Sequence, residues 1–307
     1  MSSVLSRPRV IGLVCGAGAV GLGIAYMLAA GAPRSYVFVN LASLVLGGTA
    51  WIALRPAESS RLAGAGIVTL ALAMLLVLTT LFSVPVEGAS RWVSVGPLTL
   101  QLSLIVLPLM IVMYARQPDA IGTGGIIAAA LALALQPDRA MAGVLLAGLL
   151  PLAIITARPL QIAAAAASAL AFAWTLLKPD LLPAVPYVDQ ILYSAFNIHL
   201  LAGLAVVAGA AVLLLPAILG LLSKVGDRGI LLAFGGSWAG VVAAAALGNY
   251  PTPLVGYGGS AVLGYLLSVS LLPQAAREAG VGGAPTSLPN ERSSQEPRAE
   301  LRAAQLA

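Results

Sequence analysis

Apolar residues run almost without interruption along this chain, in stretches at about 10–31, 36–54, 62–84, 98–115, 120–137, 140–157, 160–177, 190–222, 229–248 and 258–275. Most are close to the roughly 20 residues that carry a helix across a hydrocarbon core. Short loops bearing Arg, Lys, Pro, Asp or Ser divide them. Lipid offers the backbone no water to bond, so a spanning segment must satisfy its own amides and carbonyls, as a helix does. The pattern predicts an all-α integral membrane protein, a polytopic bundle of about ten transmembrane helices.

Composition agrees and adds orientation. Hydrophobic residues make up 60% of the chain and charged ones 9%, against roughly 25% charged in a soluble domain. The net charge of +5 matters less than its distribution. With the N-terminus in the cytoplasm, nine basic loop residues (Arg7, Arg9, Arg55, Arg61, Arg116, Arg158, Lys224, Arg228, Arg277) fall inside and four (Arg34, Arg91, Arg139, Lys178) outside. That asymmetry is what the positive-inside rule expects of ten spans. The reading is a cytoplasmic segment 1–9, a membrane domain 10–275 and a cytoplasmic tail 276–307. The tail mixes Pro, Ser, Glu and Arg, buries too little to fold alone and is expected to be disordered. The first apolar run lacks a small-residue cleavage site and reads as a retained span. No basic and aromatic cluster points to nucleic acid. Cys15, the single cysteine, has no disulfide partner and reads as a small apolar side chain. No internal duplication is visible, which weakens an inverted-repeat transporter.

The chief polar interruption is Lys178 to His199, with two of the eleven acids and the only histidine. Charge is expensive in lipid, so such a segment sits in water or lines a wet cavity, and Asp189 becomes the first residue to suspect. The topology puts it outside, as the loop 178–190, together with Glu87 to Gln101, the Gln136-Pro137-Asp138-Arg139 turn, and Asn249 to Ser260. Taken singly, these have plain readings. Trp92 is an interface anchor, Arg91 a headgroup-depth cation and Gly96-Pro97 a turn. Asp138 starts a helix at its positive end. Two prolines and three glycines break the chain between Pro251 and Ser260, and non-helical backbone at that depth needs protein or a wet cavity beside it. His199 reads as an interfacial or core residue, with no second His or Cys partner for zinc.

Taken together and in order, these segments resemble the SEDS family (shape, elongation, division and sporulation). Gly88, Arg91, Trp92, Gly96, Pro97, Gln101 and Ser103 fit its first motif, and Gln136, Pro137 and Asp138 its second. Asp189 and Ile191 fit the third; Pro251, Pro253, Tyr257, Gly258, Gly259 and Ser260 fit the last. The resemblance covers about Gly88 to Leu272. It implies polymerisation of glycan strands from lipid II, an undecaprenyl-diphosphate-linked disaccharide peptide, at the outer face of the bacterial cytoplasmic membrane. The setting is cell-wall synthesis for shape or division, among membrane lipids and beside a class B penicillin-binding transpeptidase. That chemistry asks for a base to take the proton of an attacking sugar hydroxyl and for cations near the departing diphosphate. The resemblance assigns the base to Asp189. Substrate binding would fall to Arg91, Trp92, Gln101, Ser103, Asp138, Tyr257, Gly258, Gly259 and Ser260. No cofactor is evident and no metal-ligand spacing is visible, although Mg or Mn beside the diphosphate stays open.

The chain also departs from the family. Leu102-Ser103-Leu104 and then Leu107 stand where the family has Pro-Ser-Glu and, three residues on, Lys. The external loop is short, Asn197 and Ile198 replace two glutamates, Gln190 replaces Phe and Gly256 replaces Ser. Two alternatives therefore stand beside the glycosyltransferase. One is a catalytically inactive scaffold that binds lipid-linked precursor or the transpeptidase. The other is a precursor flippase, which needs a polar path open to both faces, whereas the cytoplasmic half has almost no buried ionisable residue.

Overall fold

The computed structural model describes residues 7–54, 64–83, 91–96, 98–180 and 182–273. The tail 276–307, residues 1–6 and the motif residues Gly88 and Pro97 lie outside the described residues. Helices α1 (Pro8–Ala29), α2 (Arg34–Ala53) and α3 (Ala65–Phe82) are followed by strands β1 (Trp92–Val95) and β2 (Leu98–Gln101). Then come α4 (Leu102–Arg116), α5 (Ala120–Leu135), α6 (Arg139–Thr156) and α7 (Pro159–Leu176). A short α8 (Ile191–Ser194) and a 3-10 turn (Ala195–Asn197) lead into α9 (Leu200–Val212), α10 (Leu215–Leu222), α11 (Arg228–Leu247) and α12 (Gly259–Ser270).

Six helices, α1, α2, α3, α6, α7 and α11, are long and apolar enough to cross a membrane. Helices α9 and α10, bent by 48° at their junction, make a seventh if taken as one broken span. The shorter apolar α4, α5 and α12 bring the described segments into step with the ten apolar runs of the sequence. Helix starts follow local chemistry. Asp119, Asp138 and Asp227 cap α5, α6 and α11 by accepting from the amides of Gly122, Met141 and Gly229. Each such cap is worth about 1 kcal/mol. Proline begins α1 and α7, where a missing N–H costs nothing.

Two runs differ from the sequence expectation. The run at 98–115 opens as a strand, because Trp92–Val95 and Leu98–Gln101 pair as an antiparallel hairpin, Trp92 opposite Gln101. Gly96 takes φ +59° at its turn, a conformation glycine adopts freely. The run at 190–222 is divided. The helix proper starts at Leu200, where His199 Nδ1 accepts from the Leu201 amide at 3.1 Å. It breaks at Leu213 and Leu214, just ahead of Pro216, whose ring nitrogen cannot donate back to the preceding turn. Tyr265 from α12 donates its hydroxyl to the Leu213 carbonyl at 3.2 Å, satisfying a group the break leaves open.

Large apolar side chains face outward around the bundle, Phe82 and Leu247 being 80% and 89% exposed, as a lipid-facing surface requires. Inside, small residues let backbones meet. A Cβ on Gly236 of α11 would stand 2.2 Å from the Ala147 carbonyl of α6, and one on Gly264 of α12 would stand 2.0 Å from the Leu104 carbonyl of α4. At the end of the bundle where α12 finishes, Arg9 and Arg116 donate to the carbonyls of Leu272 and Leu271, cations placed at the negative end of a helix.

Candidate active site

At the other end, segments far apart in sequence converge on Asp138, which is fully buried. It is the residue that caps α6, with Oδ1 accepting from Met141 N at 3.2 Å. Its Oδ2 accepts from Ser103 Oγ at 3.1 Å and from Gln101 Nε2 at 3.3 Å. The hairpin presents Gln101 at the end of β2, and the Gln101 amide donates to Ser260 Oγ at 3.1 Å, so the first turn of α12 joins the same group.

Arg91, immediately before β1, brings the cation. Its Nε lies 3.9 Å from Asp138 Oδ1, and its Nη2 donates to the Pro137 carbonyl and reaches Asp180 Oδ2 at 3.4 Å. Tyr250 donates its hydroxyl to that same Asp180 oxygen and lies under the guanidinium, 5.9 Å from ring centroid to Cζ. Burial works against the Arg91 charge, but Asp138 above all, then Asp180 and Tyr250, outweigh it and hold the guanidinium above its ordinary pKa. Burial, with the bond to Asp180, pushes the Tyr250 phenol well up. Asp138 and Asp180 share Arg91 between them, and no group of three metal-ligating side chains gathers among the described residues.

Asp189 stands in a second group. It pairs across an isolated antiparallel bridge with Pro251, and the Thr252 and Tyr257 amides donate to the carbonyls of Val188 and Tyr187 at 2.9 and 2.8 Å. The Gly- and Pro-rich break before α12 thus lies alongside the turn that carries Asp189. Asp189 is 8% exposed. Its Oδ2 accepts from Val185 N at 2.8 Å, whereas its buried Oδ1 has no hydrogen-bond partner among the described residues. Burial raises its pKa, offset in part by the Val185 bond. A small pocket is lined by Gln101, Tyr250 and Pro251 and by apolar residues including Leu104, Met141 and Val144.

Of the residues expected from sequence, Arg91, Gln101, Ser103, Asp138 and Ser260 are drawn into one network. Trp92 is half-buried in the hairpin. Tyr257 belongs to the Asp189 group through its amide, Gly258 donates to Asn40 and Gly259 opens α12 beside Ser43, and no hydrogen bond or ion pair among the described residues joins Asp189 to Arg91 or Asp138. Arg139 and Lys178, two of the other basic residues expected on this side, are engaged elsewhere. Arg139 donates to the Lys178 carbonyl at 2.7 Å, and the Lys178 ammonium sits 4.8 Å above the Trp174 ring. Sequence reasoning passed over Asp180, Tyr250 and Asn40. Asp180 was visible as the second acid of the polar loop. Asn40 is the lone carboxamide in an otherwise apolar run.

No protein-family model matches this chain, and no curated protein matches it. Among solved structures it is similar to the rod shape determining protein RodA of Thermus thermophilus, with a TM-score of 0.63 and 21% identity over 85% of this chain and 94% of that one. A mutant of the same RodA with an aspartate replaced by alanine gives a TM-score of 0.62 at the same identity and coverage. At that identity the likeness is one of architecture. This chain has the fold of RodA.

Proposed function

We propose that the chain is a divergent SEDS-type glycosyltransferase that polymerises lipid II at the outer face of the bacterial cytoplasmic membrane, beside a class B penicillin-binding transpeptidase. The observation that carries the reading is Asp189, a buried carboxylate fixed through one oxygen and unpartnered at the other. In the reaction, Asp189 Oδ1 takes the proton of the acceptor hydroxyl. The hydroxyl oxygen bonds to the anomeric carbon of the donor, and the bond from that carbon to the lipid diphosphate breaks. A base with a raised pKa holds its proton closer to working pH, which suits general base catalysis. Arg91 is the motif's cation for the departing diphosphate, and Asp180 competes with that anion at its Nη2.

The test is lipid II polymerisation by the purified protein, with and without a candidate transpeptidase, comparing wild type and Asp189→Ala. Loss of the base lowers the rate by about 10² to 10⁴. A variant as active as wild type removes Asp189 from the mechanism.

One observation favours a second reading, the inactive scaffold. Leu104 and Leu107, at the family's Glu and Lys positions, are core residues at 4% and 0% exposure, and Leu104 makes the pocket wall there apolar. Co-purification of a transpeptidase by a protein that makes no polymer would support it.

A further inference from the structure

The segment bearing Asp189 is not held by its own loop alone. It lies against residues 251–258, and that stretch is held by a side chain from α2. Asn40, fully buried, donates through Nδ2 to the Gly256 carbonyl at 2.8 Å and accepts through Oδ1 from the Gly258 amide at 3.2 Å. Both backbone groups belong to the helix break, where no regular turn can satisfy them, and one carboxamide closes both. Asp could accept but not donate, and Leu could do neither. Tyr36, one turn earlier on α2, stacks on Tyr257 with centroids 3.9 Å apart and meets Tyr187 edge-on at 6.3 Å. Gly256 itself closes on the other side, since a Cβ there would lie 2.9 Å from the Tyr187 carbonyl. The line of contact runs from Asn40 to Gly256 and Gly258, then through the Tyr257 amide to Tyr187, two residues before Asp189.

We propose that Asn40 is a positioning residue for Asp189: its carboxamide clamps the 256–258 backbone against which the 187–189 segment is registered, and so fixes where the carboxylate points. This rests on the activity proposed above, but the clamp can be read without it. Asn40→Leu removes both hydrogen bonds with little change in volume. Hydrogen exchange of the peptide covering 185–191 is then expected to speed up by about tenfold, as a local opening equilibrium would allow. Val45→Ala, on the exposed part of the same helix, leaves that peptide unchanged. In polymerisation, Asn40→Leu lowers kcat by about 10- to 100-fold with KM nearly unchanged, the signature of a misplaced group rather than lost binding. In an Asp189→Ala background the same substitution costs nothing further.

Unchanged exchange at 185–191 overturns the proposal, as does a kcat loss that persists in full without Asp189. A wild type that makes no polymer ends the proposed activity and leaves the exchange comparison to decide the clamp. Should Asn40→Leu not fold, Asn40→Asp, which keeps the acceptor for Gly258 and loses the donor to Gly256, carries the same comparison.

Discussion

The Arg91 guanidinium lies 3.9 Å from the Asp138 carboxylate, and both side chains are withdrawn from solvent, at 4% and 0% exposure. A buried pair of this kind adds little net stability over an apolar pair, but breaking it strands a charge. Arg91→Ala leaves Asp138 without its cation and is expected to destabilise the protein by about 3–5 kcal/mol. Asp138→Asn keeps a carbonyl oxygen for the Met141 amide and should cost less. Thermal unfolding in detergent orders the two, and equal losses would mean that a stranded Arg91 costs as much as a stranded Asp138.

Asp189 makes a prediction that links stability to pH. It is an acid whose folded pKa is raised by burial, so the folded chain binds its proton more tightly than the unfolded chain. The resulting stabilisation is complete below the ordinary carboxylate value of about 4 and is lost as pH rises through the raised value. Asp189→Asn, which imitates the protonated form, should therefore unfold at a higher temperature than wild type near neutral pH. The gap should close as pH is lowered toward the ordinary value. Stability gained where activity is lost is the trade expected of a strained functional group. A gap that stays constant with pH would assign the effect to packing.

These expectations were unequally legible in the sequence. The ten apolar runs gave the membrane bundle because lipid leaves the backbone few options. Asp138 could be read as a helix start because an acid after Gln-Pro is a cap signal, but nothing local indicates that the same carboxylate collects Ser103 and Gln101. Such convergence depends on helix packing, which small residues such as Gly236 and Gly264 permit without specifying. The hairpin at Trp92–Gln101 escaped the apolar count, since four alternating strand residues merge into the run that follows. Asn40 was hidden for the opposite reason: a lone carboxamide in a span becomes interpretable only when its partners on α12's approach are known.

Close helix crossings predict a contrast between glycines. Gly264→Ala would push a methyl to within 2.0 Å of the Leu104 carbonyl, where backbone rather than a side-chain tip must move. Overpacking of this sort costs about 1–3 kcal/mol or more. Gly18→Ala meets nothing within 4 Å and removes a flexible residue from the middle of α1, so it should be neutral or stabilise by about 0.5–1 kcal/mol. Thermal shifts of opposite sign check both at once. Similar shifts would argue that α4 and α12 do not approach as closely as Gly264 implies.

Asp180 gives the prediction that bears most directly on mechanism. Its Oδ2 takes both the Tyr250 hydroxyl and an Arg91 contact at 3.4 Å, the two donors that an anionic oxygen would otherwise use. Its side chain is 17% exposed, so it is the reachable member of the cluster, unlike Asp138. Removing one negative charge about 7 Å from an incoming phosphate, at an effective dielectric near 20, is worth roughly 2 kcal/mol, or more than tenfold in affinity. Asp180→Asn is thus expected to tighten lipid II binding by about tenfold, and Asp180→Asn combined with Arg91→Gln should lose that gain. Binding of lipid II to protein in nanodiscs reads both variants, whether or not polymer forms. If Asp180→Asn binds no more tightly than wild type, Arg91 is a structural cation of the hairpin, and the diphosphate must be met by some other part of the site.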